Sequence, residues 1–277
     1  MSVGKLNRPG LPFANVVATG IATADITPGR TIEALTLVMG GTTFTSAHIA
    51  NVKIKANGKA IVDASGAQLE KLAEFRGDTV TTHLPIYFAD FTGLDQLDQL
   101  VGAFDTSRGI ASLSLEVSIA GATAPTLKYM VQESNPQIGS DGKPRAYSPI
   151  LSKVLRYPFN TSTGGRLPVA LPFGPVNGAV IKRIHIEHGV ADNVTGVIVK
   201  QDGIVIHETE KADNDFYNTR FGRVNQTKVY SIDFVAEGGM KNAFDTRDAV
   251  SLELIPTLGA ADSGDVIVEY LDTLGNL

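Results

Sequence analysis

The run His185-Ile186-Glu187-His188 holds the side chains best suited to bind a metal ion. In a β-strand, however, His185 and Glu187 lie on one face and His188 on the other, because successive side chains alternate. A cupin-like metal enzyme also needs ligands from later strands, and His207 is the only other histidine in this half of the chain. Isolated histidines usually lie at protein surfaces, so the pattern does not favour metal catalysis.

Two pairs of aspartates could supply oxygen ligands to a calcium ion: Asp213 with Asp215, and Asp262 with Asp265. Neither pair has the spacing of a dedicated calcium loop. Turn and helix-cap roles suit these residue types better. We therefore expect no cofactor, with structural calcium as the alternative.

Other chemical signatures are missing from the sequence. It has no Gly-x-Ser-x-Gly nucleophile elbow and no recognisable phosphate-binding Gly-Lys loop. It has no cysteine, which excludes disulfides and thiolate metal sites. The net charge of −5, without any cluster of Lys and Arg, argues against direct binding of nucleic acid. We expect no catalytic residues and no enzymatic activity.

The segments that surround these residues occur twice in the chain. Phe104-Asp105-Thr106-Ser107-Arg108 precedes Ser114-Leu115-Glu116-Val117, and Phe244-Asp245-Thr246-Arg247 precedes Ser251-Leu252-Glu253-Leu254. The offset of roughly 140–150 residues is the length of a whole domain. The repeat therefore predicts two copies of one β-rich domain.

Further echoes keep the same order. Leu35 and Leu37 correspond to Ile184 and Ile186, and the closing strands align Leu127 and Tyr129 with Val268 and Tyr270. In the repeated motif, Asp105 with Arg108 and Asp245 with Arg247 are predicted to be structural pairs that fix the turn into the next strand. Salt bridges between subunits are the alternative for these residues.

Asn57-Gly58 and Asp202-Gly203 occupy matching places in the two halves, each between two strand-like runs. Asn-Gly and Asp-Gly supply the positive φ angles of a type I′ turn, which suits a two-residue hairpin. This turn predicts that Ile54 pairs with Ile61 and that Val199 pairs with Ile206. The shared turn chemistry supports the duplication.

Many short strands with tight turns predict an all-β fold of two tandem eight-stranded jelly-roll sandwiches with short helical inserts. Pro9, Gly10 and Pro12 predict an irregular N-terminal arm. The expected domains are the arm at 1–15, the first jelly roll at 16–134, a linker at 135–149 and the second jelly roll at 150–277.

The second half resembles the major capsid protein of corticoviruses, which are tailless icosahedral bacterial viruses with an internal membrane. The resemblance covers roughly the last hundred residues and is specific in order and spacing. The matching segments are Arg183-Ile184-His185-Ile186, Lys211-Ala212-Asp213-Asn214-Asp215-Phe216, Tyr230-Ser231-Ile232-Asp233-Phe234 with Glu237-Gly238, and Ile267-Val268-Glu269-Tyr270. The first half resembles the family in pattern only.

The resemblance implies a structural subunit whose homotrimer presents six jelly rolls, forming a pseudo-hexameric capsomer in an icosahedral shell over a membrane. Implied partners are neighbouring capsomers, penton proteins and minor membrane-associated virion proteins. The N-terminal arm, with Lys5 and Arg8, is expected near lipid headgroups or an adjacent subunit. The implied location is the virion, after synthesis in the bacterial cytoplasm.

Two alternatives stay open at this point. One is a lectin-like carbohydrate-binding β-sandwich, although the chain has no Trp and only 7% aromatic residues, whereas sugar-binding platforms favour exposed aromatic rings. The other is a bicupin-type enzyme, which the scattered histidines disfavour.

Overall fold

The computed structural model describes residues 5–93, 96–136 and 150–276. The chain divides into two compact units, one of residues 1–74 with 78–154 and the other of residues 75–77 with 155–277. Most of the predicted linker, at 137–149, lies outside the described residues. In the described part of the chain, no helix has the length and apolar character needed to span a bilayer.

The first unit contains two sheets. In one, strands follow the order β1-β9-β3-β6, with the short β7 also paired to β3, and the other has the order β2-β8-β4-β5. The unit also contains two α-helices and a 3-10 turn at Ser46–His48. The elements are β1 (Leu6–Pro9), β2 (Gly20–Asp25), β3 (Thr31–Gly40), β4 (Ile49–Ala56), β5 (Lys59–Ala64), α1 (Gly66–Phe75), β6 (His83–Tyr87), α2 (Gln96–Leu100), β7 (Phe104–Asp105), β8 (Leu113–Ile119) and β9 (Thr126–Ser134).

The second unit repeats this topology. Its sheets have the orders β10-β18-β12-β15, with the short β16 paired to β12, and β11-β17-β13-β14. A 3-10 turn lies at Met240–Asn242. The elements are β10 (Ile150–Thr161), β11 (Gly165–Arg166), α3 (Gly174–Asn177), β12 (Val180–His188), β13 (Val194–Gln201), β14 (Ile204–Glu210), α4 (Lys211–Arg220), β15 (Val229–Asp233), β16 (Phe244–Asp245), β17 (Leu252–Leu258) and β18 (Asp262–Thr273).

Each unit is an eight-stranded jelly roll, and the matching strand orders confirm the predicted double jelly roll. The alternating apolar residues form these strands because one face of each sheet packs inward. In β8, the residues at 113, 115, 117 and 119 are buried and those between them are half-buried. The core of the second unit lies between its two sheets and includes Ile184, Ile186, Val268 and Tyr230.

The N-terminal segment departs from the expected irregular arm. Residues 6–9 form β1, which pairs antiparallel with β9 and is the first strand of the first jelly roll. Arg8 pairs with the buried Glu133 at 2.7 Å, and Lys5 pairs with the buried Glu33 at 3.0 Å. Pro9 is tolerated because β1 lies at the edge of its sheet, where a strand has only one neighbour.

The two hairpins have positive φ at the turn residues, 50° at Asn57 and 53° at Asp202. The predicted strand pairs are wrong, however. Ile54 lies opposite Val62, and Val199 lies opposite His207. A one-residue β-bulge follows each turn and shifts the register, so the residue expected to pair is the extra one. The bulge occupies the same place in both units.

A second repeated bulge lies near the start of β3 and β12. The register shifts at Glu33 in the first unit and at Lys182 in the second. Leu35 then pairs with Val131, and its counterpart Ile184 pairs with Val268. The structural counterpart of Val268 is therefore Val131, and the sequence alignment of the closing strands was wrong by four residues.

Candidate functional site

The threonine in each Phe-Asp-Thr repeat is a buried clamp. Thr106 Oγ1 donates to the carbonyl oxygen of Arg30 at 2.6 Å and accepts from the N–H of Gly29 at 2.9 Å. Thr246 Oγ1 donates to the carbonyl of Ala179 at 2.8 Å and accepts from the Ala179 N–H at 3.1 Å. Both hydroxyls therefore hold the backbone just before the third strand of each jelly roll. This role was not predicted from the sequence, although the threonine recurs in both motifs.

The acidic and basic residues of the motif behave differently in the two copies. Asp245 and Arg247 form an exposed ion pair at 2.5 Å, and the hydrogen bonds from Arg247 lower the pKa of Asp245. Asp105 instead accepts a hydrogen bond from the N–H of Ser107 at 2.9 Å. Within the described residues Arg108, an exposed side chain, forms no ion pair with Asp105, so the predicted pair is wrong for the first copy. Asp245 caps its own turn in the same way, by accepting from the N–H of Arg247 at 3.0 Å, so the copies differ in the position of the arginine, which follows Asp105 by three residues and Asp245 by two.

The turn residues of the two hairpins also clamp a distant loop. Asn57 Oδ1 accepts from the N–H groups of Ala111 and Ser112 at 2.8 and 3.2 Å. Asp202 Oδ1 accepts from the N–H groups of residues 250–251, both at 2.8 Å. Gly58 and Gly203 complete the turns with φ of 81° and 78°. Each side chain thus ties its hairpin to the loop that enters the seventh main strand of its jelly roll.

Replacing Asn57 or Asp202 with valine should lower the free energy of unfolding by about 1–2 kcal/mol in each case, because a β-branched residue resists positive φ. Valine also leaves two backbone N–H groups without their acceptor. The midpoint of urea denaturation measures the loss. The matched control is Asp202→Asn, which keeps the accepting oxygen and should leave the midpoint almost unchanged. Asn57→Asp is unsuitable as a control, because Asn57 Nδ2 also donates to the carbonyl of Gly109 at 2.7 Å. Valine variants with unaltered midpoints would contradict the clamp.

The histidines of the His185–His188 run serve the fold. His185 is buried, with Nδ1 at 2.8 Å from Ser231 Oγ and Nε2 at 3.2 Å from Glu269 Oε1. His188 points to the other face, where Nδ1 lies 2.6 Å from the carbonyl of Val190. Among the described residues, no group of three His, Asp or Glu side chains is placed to hold a metal ion.

The aspartates considered for calcium are not brought together as ligands. Asp262 accepts from the backbone N–H groups of Gly189 and Val190 and from Asn193 Nδ2 at 2.8 Å. Burial raises the pKa of Asp262, but these hydrogen bonds outweigh it and the pKa is lowered. Asp215 pairs with Lys211 at 2.7 Å within α4.

Two further aspartates complete this set. Asp213 lies in the first turn of α4, where negative charge is favourable. Asp265 lies opposite Glu187 in the β12–β18 ladder. Each of the four residues thus has a place in a loop, a helix or a strand.

A buried network of charges lies on β12, β15 and β18. Arg183 pairs with Asp233 at 3.0 Å and with Glu269 at 3.2 Å, and Arg76 pairs with Glu269 as well. Arg223 pairs with Asp233 at 2.7 Å. Burial alone would raise the pKa of Glu269, but the two guanidinium groups hold it well below its usual range. Three guanidinium groups thus share two carboxylates, and the lowered pKa keeps Glu269 ionised at neutral pH.

A pocket of about 370 Å³ lies beside α4, and its lining includes His207, Asn214, Asn218 and Asp233. Its polar groups already have partners in the fold. Asn214 Nδ2 and Asn218 Nδ2 both donate to the carbonyl of Ser231, at 2.7 and 3.0 Å. Thr209 Oγ1 lies 2.9 Å from His207 Nε2 and 2.6 Å from the Tyr230 hydroxyl, so this hydroxyl and the imidazole ring are held in a network with a buried tyrosine.

His207 makes the stability of this unit depend on pH. Burial lowers its pKa to about 4, so the folded chain keeps the ring neutral while the unfolded chain binds a proton below about pH 6.5. Stability should therefore fall by roughly 1–3 kcal/mol as pH drops from 6.5 to 4. His207→Gln should remove much of this loss in urea titrations at both pH values, whereas the control His83→Gln, at an exposed site, should not. An unchanged loss in the His207 variant would contradict the assignment.

Exposed apolar side chains lie on α4, on β14 and on the segment after α4, and three of them, Ile206, Tyr217 and Phe221, line the same pocket. This set of side chains is between about a third and two thirds exposed, and exposed apolar patches often mark interaction sites. We call it the α4–β14 surface, and its members are Ile204 66%, Val205 46%, Ile206 43%, Phe216 64%, Tyr217 51%, Phe221 36% and Val224 50%. Within the described residues β14 pairs with β13 alone, so its other edge is also open.

Comparison with known protein families gives two matches that together cover most of the chain. The family model of the viral coat protein P2 N-terminal domain matches residues 7–133, and that of the C-terminal domain matches residues 151–274. The chain belongs to the viral coat protein P2 family. A comparison with curated protein sequences found no match.

Solved structures of other viral coat proteins share the fold of this P2-family chain. The major capsid protein P2 from bacteriophage PM2 matches with 21% identity and a TM-score of 0.84 over 97% of each chain. The STIV major capsid protein matches with 14% identity and a TM-score of 0.71 over 96% of each chain. A quasi-atomic model of the PBCV-1 virus capsid matches with 11% identity and a TM-score of 0.63, over 98% of this chain and 94% of that one.

Family membership confirms the resemblance to corticovirus major capsid proteins and extends it to the first half. This P2-family chain is a viral major capsid protein, a structural subunit of a virion coat, in preference to a lectin or a bicupin. The repeated clamps accordingly serve the building of two matching domains.

Proposed function

We propose that the chain forms a homotrimer whose six jelly rolls make a pseudo-hexameric capsomer, and that such capsomers tile an icosahedral shell over an internal membrane. The observation that carries the proposal is the identical strand order of the two units within one chain. Three copies of two like domains give a ring of nearly six-fold symmetry, which packs into hexagonal arrays. We propose domain boundaries close to residues 134 and 150 for the two jelly rolls.

Contacts with other virion components follow from this geometry. Neighbouring capsomers, penton proteins and minor membrane-associated proteins are the partners we propose for the capsomer rim and base. An acidic chain suits a shell that covers a membrane more than one that touches bare DNA. The expected lipid contact through Lys5 and Arg8 loses its electrostatic support, because Glu33 and Glu133 already pair with these cations. Proximity of Lys5 and Arg8 to lipid headgroups is then supported only by the resemblance to the family.

We further propose that the chain has no enzymatic activity and that it acts in the virion after synthesis in a bacterial cytoplasm. The residues best suited to chemistry are used by the fold, as the partners of His185 and Glu269 illustrate. Direct contact with nucleic acid is not part of the proposal, because no cluster of basic residues stands out in the sequence.

The mass of the purified chain in solution tests the trimer. Size-exclusion chromatography with light scattering should give about three times the chain mass of 29.3 kDa, and the value should resist dilution, since obligate interfaces usually bury more than about 2,000 Å². A folded monomer at micromolar concentration would contradict the proposal.

A further inference from the structure

The end of helix α1 has an unusual position. Residues 75–77 follow the first hairpin in the chain, yet they belong to the second compact unit. Within that unit the Phe75 ring stands edge-on against His185 at 5.2 Å, and Arg76 pairs with Glu269. Phe75 is buried, and its carbonyl accepts from the N–H of Val224 at 3.0 Å. This segment covers the outer face of β12 and β18.

Helix α4 is the counterpart of α1 and ends in the same way. The N–H of Asp78 donates to the carbonyl of Ala73, and the N–H of Arg223 donates to the carbonyl of Asn218. Each helix therefore ends in a hydrogen bond that spans five residues. In each case the residue before the donor is a glycine with positive φ, as a Schellman ending requires. This alignment equates residues 75–77 with Arg220, Phe221 and Gly222. Phe221 is nevertheless 36% exposed, whereas the end of α1 is covered.

The face that the α1 end covers also has a counterpart, on the outer side of β3 and β9. Strand register equates His185, Ile267 and Glu269 of the second unit with Thr36, Met130 and Gln132 of the first. His185 and Ile267 are 1% exposed, whereas Met130 is 40% exposed and Thr36 is half-buried. We call the surface of Thr36, Val38, Met130 and Gln132 the β3–β9 face.

The two exposed surfaces are both uncharged at the position of the Arg76–Glu269 pair, although the charged Arg220 stands where Phe75 does. Where Arg76 meets Glu269 in the second unit, the equivalent positions are Phe221 on the helix end and Gln132 on the β3–β9 face. The carboxylate and its guanidinium partner are thus both replaced by uncharged groups. A charge retained on only one side would be costly to bury, so the joint replacement is what a buried contact between these surfaces needs.

Strand β14 gives an independent indication. Its counterpart in the first unit, β5, has buried residues at Ile61 and Val62, and Val154 pairs with Val62 along its outer edge. In β14 the equivalent edge is open, and Val205 and Ile206 are exposed. An open, apolar edge strand is a template for pairing with another chain. The outer edge of β14 is thus uncovered, whereas the equivalent edge of β5 is covered.

We propose that the α4–β14 surface of one chain docks on the β3–β9 face of a second copy of this chain, with Phe221 in the place that Arg76 occupies within a chain. This inference rests on the proposed trimer and assigns its contact surfaces. Repeated three times, the contact between copies closes a ring of three chains. Both surfaces are incomplete without the second copy.

Cysteine crosslinking tests the proposal, because the chain contains no natural cysteine. Chains carrying Phe221→Cys together with Thr36→Cys or Met130→Cys should give covalent dimers and trimers on a denaturing gel after treatment with a short bismaleimide. The control pair is Phe221→Cys with Val250→Cys, since Val250 is 85% exposed and lies on neither surface. The control should stay monomeric on the gel.

Charge insertion gives a second readout. Phe221→Asp and Met130→Asp should each reduce the mass measured by light scattering threefold at micromolar concentration, while Val250→Asp keeps the mass of the unmodified chain. Thermal melts followed by circular dichroism establish that each variant is folded. An unmodified chain that is trimeric, with no crosslinks and with both aspartate variants also trimeric, would overturn the assigned surfaces and leave the trimer standing. A monomeric unmodified chain would overturn both.

Discussion

Replacing Glu269 with glutamine should lower the free energy of unfolding by about 3–5 kcal/mol, the usual loss when one partner of a buried ion pair is removed. Glu269 is 1% exposed and faces Arg76, Arg183 and His185. Glutamine keeps the shape but carries no charge, so two buried guanidinium groups lose a carboxylate partner. Urea denaturation at pH 7 measures the difference.

The matched control for this variant is Glu253→Gln, because Glu253 is exposed on β17 and should cost less than about 0.5 kcal/mol. The difference between Glu269→Gln and the unmodified chain should also depend on pH. The folded pKa of Glu269 lies below its unfolded value, so its contribution is complete above about pH 4.3 and is lost as pH falls through the folded pKa. Equal free energies of unfolding for Glu269→Gln and the unmodified chain at pH 7 would contradict the buried charge network.

Replacing Gly264 with alanine should lower the free energy of unfolding by about 3 kcal/mol or more, at the upper end for overpacked sites. A Cβ atom at this position would lie 1.9 Å from the carbonyl oxygen of Glu187 and 2.9 Å from Phe159 Cζ. The Glu187 oxygen belongs to the backbone of the neighbouring strand β12 and cannot rotate away. The β12–β18 ladder must therefore separate at His188, which lies opposite Gly264.

Thermal unfolding followed by circular dichroism is the measurement for Gly264→Ala. Gly275→Ala is the control, because a Cβ atom there would meet no atom within 4 Å. The control should have the melting temperature of the unmodified chain. If Gly264→Ala has that melting temperature too, the close approach of β18 to β12 is wrong.

The fold was largely predictable because its strands repeat a pattern of period two and its hairpins use Asn-Gly and Asp-Gly. The alternation in Leu113–Ile119 and the matched turns at Asn57 and Asp202 sufficed to predict two like β-domains. Strand β1 was missed because Pro9 usually interrupts structure, whereas an edge strand tolerates it. Local sequence does not reveal which edge a segment will join.

The charge network and the contact surfaces could not be predicted from the sequence, for a different reason. Arg76 and Glu269 are 193 residues apart, and no local pattern links them. The one-residue bulges at Ile61 and Ile206 leave the alternation of side chains looking regular, so the pairing register could not be read from it. Phe216 and Phe221 suggested a helix with an apolar face, but only the fold shows that this face is open.

Electron cryomicroscopy of the purified chain, or of the particle it builds, tests the central claim most directly. The account predicts a six-lobed capsomer made of three chains, with α4 of each chain seated on β3 and β9 of the next. A capsomer in which six chains each contribute one jelly roll to the ring, or a chain that remains a two-domain monomer, would contradict it.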